Sequence, residues 1–205
     1  MKKKYYVLIG VIILLVIGGI MFLVRDKEVV ESDGEKFAKE YTLVDSDNVF
    51  VYRDAEEVIK LLEHGTGVVY LGFPECPWCQ SYVKYLDEVA MEVGVDKIYY
   101  YNILEDRSNN TDVYQKIVSI LGDTLQYDEE GNHRVYVPNV SFHVNGEIIG
   151  SDNETSLDTK GFDNPDDYWN EEEVSDLKDR LRTYMEEVYN SSNMCTTCNE
   201  WYIWR

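Results

Sequence analysis

Basic side chains are scarce in this sequence. Nineteen Lys and Arg face 39 Asp and Glu in 205 residues, a formal net charge of −20. Such a surface repels nucleic-acid phosphates and anionic headgroups, which excludes nucleic-acid binding. Histidine is scarcer still: His64, His133 and His143 are far apart and on different elements. They read as surface or strand residues, not as ligands or bases. There is no Ser-His-Asp arrangement, phosphate-binding glycine loop or metalloprotease helix. The acidic, turn-rich stretches 123–134 and 151–168 lack the acid spacing of a calcium loop and read as solvated loops. No internal repeat is visible. What is present is a chain 44% hydrophobic and 28% charged, enough for one domain with a real core.

The charge is unevenly placed. Lys2, Lys3 and Lys4 are the only charged residues before position 25, and residues 25–205 hold 16 basic against 39 acidic side chains. Between these regions, residues 5–24 read YYVLIGVIILLVIGGIMFLV, without a charge. As a helix they would span about 30 Å, the thickness of a bilayer core. The lysines before the span place residues 1–4 in the cytoplasm and the body outside it. A cleaved signal peptide would have a shorter apolar region and a small-residue cleavage site. The sequence MFLVRD offers no such site, and a lipoprotein anchor would need a cysteine before the first one, Cys76. The expectation is a single-pass transmembrane signal anchor at 5–24, followed by a polar stalk at 25–46 that carries a short helix near 34–41.

From position 47 the pattern is regular. Residues 49–52 read as a strand, and Asp54 caps a helix with apolar positions Val58, Ile59 and Leu62. Residues 67–73 (GVVYLGF) are a continuous apolar run, as in a strand buried on both faces. A helix follows over 79–93 with one apolar stripe. Residues 97–103 form a third strand and 112–121 a helix. Residues 140–144, Asn145-Gly146 and 147–149 make a hairpin. Asn170, with Glu173 completing a capping box, opens a helix to about 188. Alternating strands and helices imply parallel pairing, with the hairpin adding an antiparallel edge. The expected fold class is α/β, a central mixed sheet flanked by helices.

Cys76-Pro77-Trp78-Cys79 sits where the buried strand ends and the striped helix begins. A CxxC in that setting is read as a redox motif. With Cys76 at the N-cap and Pro77 at the first helical position, the Cys76 sulfur can accept N–H bonds from Trp78 and Cys79. It also faces the positive end of the helix dipole. A dipole contribution of up to ~2 kcal/mol corresponds to about 1.5 pK units in favour of the thiolate, the reactive form. Pro77 and Trp78 supply no charge, and Glu75 opposes the effect. Cys79, one turn inside on the core-facing stripe, is shielded and suited to resolving a mixed disulfide formed at Cys76.

These residues resemble the thioredoxin-like superfamily in YLGFPECPWCQ (residues 70–80), the helix after it, and VPNVSFHVNGEIIG (residues 137–150). The resemblance covers residues 47–190. More narrowly, the chain is similar to membrane-anchored bacterial thiol–disulfide oxidoreductases, including bacteriocin-accessory disulfide isomerases. It implies a thioredoxin-like fold, Cys76 and Cys79 as catalytic residues, and substrate contacts at Pro77, Trp78, Val137 and Pro138. Pro138 would follow a cis bond beside the cysteine pair, with the Val137 backbone pairing with substrate. It further implies exported cysteine-containing proteins or peptides as substrates, a redox partner that recycles the pair, and no cofactor. A monomer is expected. Three departures stand out. Tyr70 occupies the place of thioredoxin's buried acid, Pro-Trp replaces Gly-Pro and is nearer the glutaredoxin Pro-Tyr, and Gln80 replaces a common Lys. They leave the direction of electron flow open.

A second pair, Cys195 and Cys198, lies in the tail, residues 191–205. It suits a structural disulfide, a redox pair exchanging with Cys76 and Cys79, or a zinc site combining all four cysteines. The tail aromatics Trp201, Tyr202 and Trp204 read as packing against the domain. The rival to an enzyme is a non-catalytic binding module in which Cys76–Cys79 is a static disulfide and the acidic loops hold a partner.

Overall fold

A computed structural model describes residues 31–153 and 161–194, with Met194 described by its backbone alone. The chain divides into two compact units, residues 1–31 and 32–205. The anchor expected at 5–24 lies outside the described residues, as do Cys195 and Cys198. No helix among the described residues is long and apolar enough to cross a membrane.

The second unit is an α/β domain around a five-stranded mixed sheet. Its elements are α1 (Asp33–Glu40), β1 (Phe50–Tyr52), α2 (Ala55–His64), β2 (Gly67–Gly72), α3 (Pro77–Val93), β3 (Ile98–Asn102), α4 (Leu104–Asn109) and α5 (Asp112–Leu121). A short β4 (Gln126–Tyr127) and β5 (His133–Arg134) follow, then β6 (Asn139–Val144), β7 (Glu147–Asp152), α6 (Pro165–Tyr168) and α7 (Glu171–Met194). The sheet order is β1-β3-β2-β6-β7. β1 and β2 pair parallel to β3, and β6 pairs antiparallel to β2 and β7.

The central strand β2 is buried along its whole length, as its unbroken apolar run requires. Tyr70 faces α3, where its ring lies 6.4 Å from that of Tyr82. Phe142, on the same face, stacks on Tyr184 of α7. Helices α2 and α5 pack together across the other face. The sheet therefore aims the C-terminal end of β2, and with it the first turn of α3, at the rim of the domain.

The domain starts earlier than the sequence suggests. Residues 32–46, read as stalk, pack onto the sheet. Ser32 and Glu35 close a capping box over α1. Phe37 is fully buried and stacks on Phe50 at 3.9 Å and on Tyr41 at 4.3 Å. Two aromatics at i and i+4 suffice to dock an otherwise polar helix. Gly34 permits the approach, since a Cβ there would lie 2.4 Å from the Ser46 carbonyl oxygen.

Three smaller differences follow from local chemistry. Helix α4 was not expected because LEDRSN has no apolar stripe and its N-cap, Ile103, makes no side-chain cap bond. The stretch 123–134 folds back on itself as the β4–β5 ladder, and β7 runs on to Asp152. Asn170 caps α7 by accepting from the N–H groups of Glu172 and Glu173, as its place before the helix predicts. The Glu173 carboxylate accepts from the Tyr168 hydroxyl at 2.7 Å, and the Asn170 N–H donates to the Tyr168 carbonyl.

Candidate active site

The N-terminus of α3 forms the site. Cys76 is its N-cap, and its sulfur accepts from the Cys79 N–H at 3.3 Å, with Pro77 as the first helical residue. The arrangement is local, since a cap reaches three residues ahead and Pro77 has no N–H to waste there. Both cysteines are free thiols. Cys76 keeps 9% of its surface exposed and Cys79 none.

Their ionisation is pushed apart. The Cys76 thiol is lowered to about 7, foremost by a hydrogen bond from the Cys79 side chain. The backbone N–H groups of Cys79 and Trp78 and the Arg107 charge add to this, against the opposing effect of burial. Burial pushes Cys79 well up, and its neighbour Cys76 adds to the shift. The site thus favours the thiolate at the less deeply buried sulfur, Cys76, and the protonated thiol at Cys79.

Val137 and Pro138 meet the motif from across the sheet. The Val137–Pro138 peptide is cis, and the Cys76 thiol points at the Val137 carbonyl at 3.9 Å. Pro138 is buried and Val137 half-buried. Pro77 is exposed, while half-buried Trp78 packs edge-on against Tyr168 at 5.9 Å. Tyr168 continues to Trp169, whose indole N–H donates to Ser81 at 2.9 Å. An aromatic wall thus lines one side of the cysteine pair.

Gln80 and Tyr70 have clear structural consequences. The Gln80 amide donates to the carbonyls of Glu40 and Pro74 at 2.7 and 2.9 Å, tying α1 to the loop before the motif. Tyr70 lies fully buried under Cys79, and burial holds its hydroxyl far above the ordinary phenol range, hence neutral. The hydroxyl is near enough to act on Cys79 and Tyr41, yet closes no hydrogen bond. It fills the space over Gly72, where a Cβ would lie 2.5 Å from it.

Arg107, on α4, is the site residue that the sequence did not disclose. Its guanidinium lies 4.8 Å from the Phe73 ring centre and donates to the Val135 carbonyl at 3.4 Å. The only signal in the sequence is its place as the one basic residue in the acidic LEDRSN segment.

The histidines stand apart from the site. His64 is exposed at the end of α2, and His133 stacks on Tyr127 in the β4–β5 ladder. His143 pairs with Gly67, at the far end of β2 from the motif. It is buried beside Ser141 at 2.9 Å, and burial lowers its pKa to about 4. Among the described residues no group of three or more His, Cys, Asp or Glu is placed to hold a metal.

The second cysteine pair follows a helix that leads away from the first. Helix α7 runs parallel to α3: Trp169 meets Ser81, Lys178 pairs with Glu88, Arg182 with Glu92, and Tyr189 lies against Gly94. At 1.5 Å per helical residue, the rise from Cys76 to Gly94 is about 27 Å, and from Tyr189 to the end of α7 about 8 Å more. Cys195 and Cys198 lie beyond the described end of α7.

No family model matches this sequence, and no curated protein matches it.

Proposed function

We propose that this chain is a membrane-tethered thiol–disulfide oxidoreductase of thioredoxin-like fold. It acts outside the cytoplasm on cysteines of exported proteins or peptides. The observation that carries the reading is the placement of two free cysteines at one helix N-terminus, where the Cys76 sulfur accepts from the Cys79 N–H and faces the Val137 carbonyl. Cys76, which keeps 9% of its surface exposed, is lowered to about 7, while the fully buried Cys79 is raised. A purely structural disulfide needs no such asymmetry. The mixed five-stranded sheet, the CxxC at the end of its central strand and Val137-Pro138 beside it support the fold assignment.

The reaction follows from the geometry. The Cys76 thiolate attacks one sulfur of a substrate disulfide, forming a mixed disulfide and releasing the other substrate sulfur as a thiolate that takes up a proton. With Cys76 now neutral, the barrier to ionising Cys79 falls. Cys79 loses its proton and attacks the Cys76 sulfur, which frees the second substrate thiol and leaves a Cys76–Cys79 disulfide. Two electrons have passed to the substrate. An external dithiol carrier returns them by the reverse steps; a disulfide carrier instead runs the cycle as an oxidase. Trp78 and the Val137 carbonyl flank the reacting sulfur, where a substrate strand would lie.

The test is trapping. The Cys79→Ser variant, incubated with an oxidised peptide, accumulates a mixed disulfide at Cys76, and wild type turns over insulin with dithiothreitol. Absence of both, with Cys76 resistant to alkylation, refutes the enzyme and leaves the non-catalytic module.

A further inference from the structure

Two arginines have no acid beside them among the described residues. Arg53 pairs with Glu57, Arg180 with Asp152, and Arg182 with Glu92 and Asp179. Among the described residues no carboxylate lies within ion-pairing distance of Arg107 or Arg134. Asp128, which feels Arg134 from a distance, turns its Oδ1 to the N–H groups of Glu130 and Asn132.

The placement of Arg107 is specific. Its guanidinium rests on Phe73, whose carbonyl accepts the Cys76 N–H at 3.2 Å. It also donates to the Val135 carbonyl, two residues before the carbonyl that faces the Cys76 sulfur. It thus bridges the two segments that enclose the reactive thiol. One of its five N–H donors is used there, which leaves the fork able to take an anion. Burial and the like charge of Arg134 both weaken its hold on its proton. Half-buried like charges without a counter-ion are costly, and an anion docking on the free donors of Arg107 relieves that cost. The Cys76 thiolate supplies one negative charge, and it vanishes once the mixed disulfide forms. Both cations then lack a partner at the moment substrate is bound.

We propose that Arg107, backed by Arg134, forms a carboxylate-binding subsite beside Cys76, so that preferred substrates carry an acidic side chain next to the reacting cysteine. This rests on the redox reading above and names its substrate class. The sign is diagnostic, because the field of a −20 chain favours basic peptides. A preference for acid must be local.

The test uses the full chain and three matched peptides, each with one cysteine held as its neutral 2-thiopyridyl disulfide and flanked by Glu, Ser or Lys. At about 0.15 M salt, where the bulk field is screened, wild type is expected to react with the Glu peptide about tenfold faster than with the Lys peptide. The ratio falls to one or below in Arg107→Gln/Arg134→Gln, and Arg134→Gln alone gives part of the loss. Using the ratio cancels any change in Cys76 nucleophilicity. A wild-type ratio of one or less, or a ratio unmoved by the double substitution, overturns the subsite. A binding arm separates this from the redox reading. Cys76→Ser/Cys79→Ser protein is titrated by NMR with serine versions of the same peptides. A Glu preference there with no reaction in the first arm sinks the redox reading and keeps the subsite. No preference overturns the subsite whether or not the peptides react.

Discussion

Removing the Cys79 thiol tests the coupling at the centre of the site. Cys76 is lowered from the ordinary value near 9 to about 7, so half of it is thiolate at neutral pH instead of about one part in a hundred. The gain in thiolate is about fifty-fold. A weaker base is also a weaker nucleophile, and a Brønsted slope of 0.4–0.5 over two units returns about six- to tenfold. In the proposed reaction the net rate advantage at pH 7 is therefore only about five- to eightfold, with the rest appearing as leaving-group ability in the proposed attack of Cys79 on the mixed disulfide. In Cys79→Ala the leading contribution, the hydrogen bond from the Cys79 side chain, is gone, while the N–H groups of Cys79 and Trp78 and the Arg107 charge remain. A hydrogen bond to a charged group contributes about 1.5–3 kcal/mol, so the alkylation midpoint rises by about one unit or more. The assay is the pH dependence of iodoacetamide capture at Cys76. A wild-type midpoint near the ordinary value, or one unchanged by Cys79→Ala, refutes the ionisation scheme. In the reduced protein the depressed thiol also stabilises the fold. That contribution is full above the unfolded pKa and fades as pH falls through about 7.

Other substitutions probe the surroundings. Phe37→Ala is expected to cost about 3–5 kcal/mol in urea unfolding, because the ring is fully buried in the core; a change near zero would restore the stalk reading of residues 25–46. Tyr70→Phe removes a buried hydroxyl with no closed hydrogen bond, so stability stays level or rises by about 1 kcal/mol, and a clear loss would show a bond that matters. Gly72→Ala destabilises by placing a Cβ 2.5 Å from that hydroxyl, and the loss is partly relieved in the Tyr70→Phe background. His143 folds in neutral form with a pKa near 4, whereas the unfolded residue protonates near 6.5. Its contribution is full above 6.5 and is lost as pH falls toward 4, up to about 3 kcal/mol. The stability of His143→Gln should then vary less than wild type between pH 7 and 4.5; equal slopes refute this.

The parts legible in the sequence are those whose physics spans a few residues. The N-cap at Cys76 needs Cys79 three positions on, the buried strand β2 is one unbroken apolar run, and Asn145-Gly146 makes its own turn. The parts that were not legible depend on groups brought together by the sheet. Phe37 reads as one aromatic in a polar segment until it meets Phe50. Part of the high tyrosine content, 17 in 205 residues, has the same origin, since Tyr41, Tyr70, Tyr82 and Tyr100 are among the largest fully buried side chains. The role of Tyr70 was half visible. Its place in β2 declares burial, and Gly72 two residues on, on the same face, marks the space that the hydroxyl occupies. Arg107 is the instructive case. It acts on a sulfur 31 positions away in sequence through the ring of Phe73 and the carbonyl of Val135, and neither partner has a charge to betray it. A pattern search finds such a residue only by asking why a half-buried cation persists in an acidic segment. That question leads to the anion beside it, the Cys76 thiolate, and then to what replaces that charge when the sulfur is spent.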